Sequence, residues 1–412
     1  MGMRLQDRIP TVSGADGFRF VWGLFLALLI ATMFGCAGVP LRVLSPTDVS
    51  SIEGIAGIPD ARIWGDEFPA HWHEILAEVV EQFRTDAEVR KIDTIDYLPL
   101  SGGGADGAFG AGVLVGWTAA GDRPEFRVVT GISTGALIAP FAFLGSRYDG
   151  ILKKFYTTTS TKDIITKRYL ITILRAAAVA STKPLQRILK EIVTPEVVSE
   201  IAAEYSKGRR LLIGATSLDA GRPVVWRIGA IAASGHPDAP RLIRQVMLAS
   251  ASVPGAFPPV YIKVQAGARQ FNEMHVDFGV TNQLFMYHPT LNLDRVATKI
   301  DFTGQQRFFI IRNSRLTTDF KLIRSRLQVI AGRSIALLIK YQGIGDLYRV
   351  YISASRDGID YNLASIPADF DKTPKESFDP DYMTELFELG YRMAAHGYPW
   401  QKQPPGMEKT LF

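Results

Sequence analysis

The 412-residue chain is 47% hydrophobic and 21% charged, with 37 Gly and 23 Pro. This is globular composition with enough apolar content for a large core. A formal charge of +5 argues against a nucleic-acid specialist, although a locally basic face remains open. The single cysteine, Cys36, excludes intramolecular disulfides and Cys-rich zinc sites.

Residues 1–36 read as a targeting segment. Arg4, Arg8 and Arg19 precede an apolar run from Phe20 to Phe34 that ends at Gly35-Cys36. Fifteen apolar residues suit a signal-peptide core, whereas a full span needs about 20. Met33-Phe34-Gly35-Cys36 resembles the lipobox of bacterial lipoproteins, in which the cysteine is the acylated first residue, so Cys36 is the candidate lipid-attachment site. An uncleaved anchor running to Val39 and a plain secretory signal are the alternatives. All three put the body of the protein in the cell envelope or beyond. Ala37 in place of Asp implies the outer membrane by the same resemblance. Residues 37–60, with Pro40, Pro46, Gly54, Gly57 and Pro59, form a tether, and 61–400 form the main domain.

Within that domain, Trp72, Ile75, Leu76, Val79, Val80 and Phe83 have helical spacing over 70–90. His71 and His73, at i and i+2, share no helix face and read as surface histidines. Ile95 to Ser101 is a strand that runs into Gly102-Gly103-Gly104-Ala105-Asp106-Gly107 and then a helix to Trp117. Strand, glycine loop and helix turn backbone N–H groups outward into an anion-binding concavity. The Gly-Lys-Ser/Thr of a nucleotide phosphate loop is missing. Gly102, Gly104 and Gly107 formally satisfy the dinucleotide fingerprint, but Asp122 sits in a turn before the next strand, not at its end. The third anion is the oxyanion of an acyl-transfer intermediate.

Gly131-Ile132-Ser133-Thr134-Gly135 gives that choice its partner. A β-branched run leads in and a small-residue helix leads out, the context of a nucleophile elbow. A side chain at either glycine would crowd the turn. The helix N-terminus favours negative charge at the same spot.

Residues 151–190 are basic, with Lys153, Lys154, Lys162, Lys167, Arg168, Arg175, Lys183, Arg187 and Lys190. They read as a solvated helical face or as a surface facing anionic lipid, with Phe155, Tyr156 and Tyr169–Leu174 as apolar partners. Arg209–Ser217 and Pro223–Ala230 form a hairpin, and Arg241–Ala251 a short helix before the Pro-rich loop Ser252–Val260. A strand-like approach then places Asp277 at a glycine-containing turn. Gln306–Asn313 is a strand, and 318–352 and 379–396 are helices.

Four stretches together resemble the patatin-like phospholipase family: Leu100–Gly107, Gly131–Gly135, Ala249–Pro259 and Val276–Asn282, in the family's order. The resemblance implies a three-layer α/β/α patatin-like fold with a central, mostly parallel sheet and a site at the C-terminal strand ends. It implies a Ser–Asp dyad without histidine. Ser133 is then the nucleophile, Asp277 the base, and the N–H groups of Gly102, Gly103 and Gly104 the oxyanion hole. The implied activity is hydrolysis of acyl esters of the phospholipase A or lysophospholipase type. Phospholipid or another acyl lipid is the substrate, at a membrane surface, with no nucleic acid, cofactor or metal. Asp106 stands where the family commonly has Arg or Lys, and Phe278 where the base motif usually has Gly. Asp106, Asp149 and Asp357 also precede glycines, but lack the context of Asp277. Two other readings remain open: an esterase with a Ser-Asp-His triad using His288 or His396, and a catalytically silent lipid-binding lipoprotein.

Overall fold

Strand β2 (Thr94–Leu100) shows how the layers arise. Leu98 and Leu100 point into one apolar cluster, Ile95 and Tyr97 into another. A strand buried on both faces has apolar residues without strict alternation, as parallel sheets require. Strand β10 (Gln305–Arg315) repeats the division, with Phe309 and Ile311 on the first face and Phe308 and Ile310 on the second.

The computed structural model describes residues 52, 54–58, 60–85, 91–167, 178, 180–317 and 320–407, all within one unit, Ser45–Phe412. The targeting segment, Cys36, most of the tether and Tyr169–Leu174 lie outside the described residues. The other strands are β1 (Arg62–Trp64), β3 (Val128–Gly131), β4 (Thr166–Lys167), β5 (Ala180–Ser181), β6 (Arg210–Ser217), β7 (Arg222–Arg227), β8 (Val260–Ala266), β9 (Arg269–Asp277) and β11 (Asp360–Ile366). The helices are α1 (Trp72–Thr85), α2 (Gly107–Ala120), α3 (Thr134–Leu144), α4 (Asp149–Thr158), α5 (Thr161–Ile164), α6 (Lys183–Ile192), α7 (Pro195–Ser206), α8 (Ile228–Ala233), α9 (Ala239–Ser250), α10 (Leu293–Lys299), α11 (Leu327–Arg356) and α12 (Pro380–Ala395).

Five parallel strands in the order β11-β10-β2-β3-β6 form the centre of the sheet. Antiparallel β7 and β1 extend it beyond β6. The second half of β6 carries antiparallel β9, with Ala215 opposite Asp277, and β8 closes on β9. The protein is therefore a mixed α/β fold with a central, mostly parallel sheet flanked by helices. Helices α2 and α12 cross on the first face at backbone contact. A Cβ on Gly112 would stand 2.0 Å from the Phe387 carbonyl oxygen, and one on Gly116 would stand 2.2 Å from that of Tyr391.

Several expectations change. Strand β7 stops at Arg227, and Ile228–Ala233 turns into α8, burying Ile228 and Ile231. Helix α11 begins at Leu327, after an extended Arg326. Tyr156 is no apolar partner for a lipid-facing surface: it is buried in the core and its hydroxyl pairs with Thr134 at the start of α3. Phe155 packs partly buried against the same core.

Candidate active site

Strand β3 ends at Gly131, and α3 starts at Thr134. Between them Ser133 takes φ 54° and ψ −121°, a conformation that costs a non-glycine residue about 1–3 kcal/mol. The flanking glycines are a steric necessity. A Cβ at Gly131 would stand 2.5 Å from the Gly135 carbonyl oxygen, and one at Gly135 would stand 2.4 Å from that of Leu100. The strained turn is anchored from outside, since the Ser133 N–H donates to Ser250 Oγ at 2.9 Å. Ser250 is fully buried at the end of α9.

The glycine loop is fixed by Asn313, at the C-terminal end of β10. Its N–H donates to Ser101 Oγ (2.9 Å), and its side-chain amide donates to the Ser101 carbonyl (2.9 Å). Its Oδ1 accepts from the Gly110 N–H on α2 (3.1 Å). Gly103 presses against it so closely that a Cβ would stand 2.1 Å from the Asn313 carbonyl oxygen. Gly102 faces Ser133, its would-be Cβ 3.3 Å from Ser133 Cβ. Gly104 has φ 59°, which turns the chain outward. Among the described residues, none of these three N–H groups donates to another protein group.

Asp277 ends β9. Its N–H donates to the Ser252 carbonyl at 2.9 Å, and its Oδ1 accepts from the Gly279 N–H at 2.7 Å. Its Oδ2 is buried without a hydrogen-bond partner. The Ser133 hydroxyl faces this carboxyl without closing a hydrogen bond of normal geometry. Burial pushes the Asp277 carboxyl up to about 6, against the opposing pull of the Gly279 N–H and the Ser133 hydroxyl. Phe278 is accommodated because the chain turns there as a short 3₁₀ helix, Phe278–Val280, without positive φ. Its ring lies over Gly214 of β6, where a Cβ would stand 2.6 Å from the ring. Ile132 and Val225 complete that apolar cluster.

Ser133, Asp277 and the Gly102–Gly104 loop therefore meet at the C-terminal ends of the parallel strands. The other titratable candidates lie elsewhere or have other partners. Asp106 accepts from the Tyr382 hydroxyl at 2.6 Å, and burial raises its carboxyl while Arg315 and Arg312 oppose the rise. Asp149 pairs with Arg123 at 2.8 Å, and Asp357 with Arg356 at 2.6 Å. His288 bonds Thr290 and packs on Phe68, while His396 bonds the Arg392 carbonyl. His275 is buried in β9 against Glu273. None of the three histidines is among the groups acting on Asp277. No cluster of three metal-ligating side chains occurs among the described residues.

Four positioning groups escaped the sequence reading. Ser250 and the Ser252 carbonyl belong to Ala249–Pro259, whose recurrence in the motif set was the available signal. Asn313 had none beyond ending a strand. Gln283 was also missed: its Nε2 donates to the Gly279 carbonyl (2.7 Å) and to Gln342 Oε1 (3.0 Å), tying the turn after Asp277 to α11. An apolar cavity of about 670 Å³ lies on the second face of the sheet, lined by Trp72, Phe83, Tyr97, Leu212, Phe278 and Leu293 among others. Neither Ser133 nor Asp277 lines it.

A serine in a strained strand-to-helix turn, a glycine loop with outward amides and a desolvated carboxyl on one α/β sheet are the parts that serine acyl transfer uses. Residues 98–284 match the Patatin family model, patatin-like phospholipase. No curated protein matches the chain. Among solved structures it is similar to VipD from Legionella pneumophila, at 12% identity and a TM-score of 0.36, over 74% of this chain and 66% of that one. It is also similar to human GIVD cytosolic phospholipase A2, at 10% identity and a TM-score of 0.36, over 81% of this chain and 63% of that one. The chain thus spans just under two thirds of the length of either.

Proposed function

We propose that this protein hydrolyses acyl esters of phospholipids or lysophospholipids through a Ser133–Asp277 dyad. The observation that carries the reading is the partnerless, desolvated Oδ2 of Asp277 beside a serine lifted into a strained elbow. A serine hydroxyl is a weak nucleophile and needs an adjacent base. A carboxylate raised to about 6 is ionised at neutral pH and nearer in basicity to its task than an ordinary one.

Ser133 Oγ attacks the acyl carbonyl carbon, and its proton passes to Asp277 Oδ2. The carbonyl oxygen becomes an oxyanion received by N–H groups of Gly102–Gly104, each worth roughly 2.7–4 kcal/mol in the barrier. Collapse expels the alcohol of the lipid, which takes the proton from Asp277. Water, deprotonated by the same carboxylate, then attacks the acyl-serine; the bond to Ser133 Oγ breaks, that oxygen takes the proton back from Asp277, and the fatty acid is released. The reading of residues 1–36 as a lipoprotein signal places this chemistry at the cell envelope, probed by labelling Cys36 with a fatty-acid analogue in cells.

The test is fatty-acid release from mixed phospholipid vesicles by wild type, Ser133→Ala and Asp277→Ala, with fluorophosphonate labelling in parallel. Release by wild type alone supports the dyad. Failure of Ser133 to react with fluorophosphonate refutes it and leaves a silent lipid-binding protein. Retained activity in Asp277→Ala refutes the assignment of the base.

A further inference from the structure

Helix α11 is two different things along its length. From Asp346 onward it is core, with Leu347, Val350 and Ala354 buried. Before that, the same chain stands in water. Phe320 is 96% exposed, Leu322 89%, Leu327 84% and Leu338 70%, with Ile335 and Tyr341 each at 57%. Contiguous apolar exposure on this scale marks an interaction surface. The charge on it has one sign. Lys321, Arg324, Arg326, Arg333 and Lys340 fall between residues 320 and 345, a stretch without a single Asp or Glu.

The arrangement is ordered. Arg326, Arg333 and Lys340 recur every seven residues. That spacing drifts by only about 20° per step around a straight helix, so Arg333 and Lys340 share one side of α11, and Arg326 stands at its N-cap. Leu327, Ile330, Leu338 and Tyr341 fall on the adjoining sector, and Ile335 stands exposed on the side opposite the cations. A cationic stripe beside an apolar one is the pattern of a helix that lies in a lipid interface. No helix among the described residues is long and apolar enough to cross a membrane. A two-fold contact through the sector that holds Leu327, Ile330, Leu338 and Tyr341 would bring the adjoining cations of two copies together.

The exposed segment leaves the body of the protein at the candidate site. Gln342 donates to the Thr281 carbonyl at 2.6 Å and accepts from Gln283, both on the turn that follows Asp277. We propose that residues 320–341 dock on an anionic lipid surface, the apolar sector among acyl chains and the cations among phosphates, and so set the rim of the site against its substrate. The purpose of the docking rests on the lipid-hydrolase reading; the docking itself does not.

The experiment uses the full chain with Cys36→Ser and Leu338→Cys, labelled at the single remaining thiol with an environment-sensitive fluorophore. Phosphatidylcholine vesicles with and without phosphatidylglycerol are added. The label reports on position 338 alone, whatever the N-terminal segment does. A blue shift on the anionic vesicles, quenched by chain-brominated lipid, is expected. Adding Lys321→Gln, Arg324→Gln and Arg326→Gln should weaken the response roughly 100-fold, from about 1 kcal/mol per cation near an anionic surface. An unshifted label, or a shift that follows protein concentration without vesicles, overturns the proposal, the latter in favour of self-association. Hydrolysis of a water-soluble ester is followed on the same protein. A shifted label without ester hydrolysis leaves the docking standing and removes the hydrolase. Ester hydrolysis with an unshifted label does the reverse.

Discussion

Asp277→Asn separates the energetic state of the base from its chemistry. Burial raises the wild-type carboxyl from 3.8 to about 6, so the folded protein holds the proton more tightly than the unfolded chain does. The stabilisation from that proton is complete below the unfolded value and is lost as pH climbs through about 6. The full loss is about 3 kcal/mol, of which roughly 2.5 falls between pH 4 and pH 8. Asparagine has no proton to lose. Its Oδ1 still accepts from the Gly279 N–H, and its Nδ2 occupies the place of the partnerless Oδ2. Any fixed cost of that amide is the same at both pH values and cancels. Thermal unfolding of wild type and variant at pH 4 and pH 8 reads the difference. The variant should gain on wild type by roughly 3 °C in Tm between the two, at the unfolding entropy typical of a body this size. Fatty-acid release should be absent at both. A Tm difference that does not change with pH would refute the desolvated carboxyl and, with it, the argument that Asp277 is tuned as a base.

The same carboxyl sets the rate profile: kcat/KM should rise with pH through about 6 and level off above it, as an ionised base requires, whereas a limb displaced to 4 would point to an exposed carboxylate. Ser250→Ala orphans the buried Ser133 N–H, worth about 1–3 kcal/mol, and should lower kcat by roughly one to two orders of magnitude. Ser252→Ala is its control, because the Asp277 N–H bonds the Ser252 backbone and the side chain donates only to Leu248; an equal loss in both variants would refute the specific role of Ser250. Gly103→Ala drives a Cβ into the Asn313 carbonyl and should cost about 1–3 kcal/mol of stability along with kcat. Gly104→Ala meets no atom within 4 Å and carries only the strain of its positive φ, so denaturant unfolding should rank the two in that order.

The elbow and the glycine loop were legible in the sequence because their constraints fall on consecutive residues. A tight turn leaves its mark where it stands. Strand β11 was not legible: Asp360-Tyr-Asn-Leu-Ala-Ser-Ile is buried along most of its length, yet Asn362 is kept there by a bond to the Phe308 carbonyl that only the fold reveals. Asn313 clamps Gly110, 203 residues away, and no local pattern announces such a bond. Tyr156 misled because an aromatic beside lysines looks interfacial until Thr134 is found beneath its hydroxyl. Phe278 in place of the motif's usual Gly was legible in the sequence, but the ring's seat on Gly214 was visible only once β6 and β9 were paired.

Ser133 and Asp277 lie on different elements, yet both take their reference from one short segment: Ser250 holds the backbone of the first, and the Ser252 carbonyl that of the second. A displacement of the end of α9 therefore carries Ser133 and Asp277 in the same direction. Their separation is protected as in an optical bench, where two components on one mount drift together and the alignment between them survives. Motion at the end of α9 is thereby shared by Ser133 and Asp277 and changes their separation less than it would if only one of them were tied there.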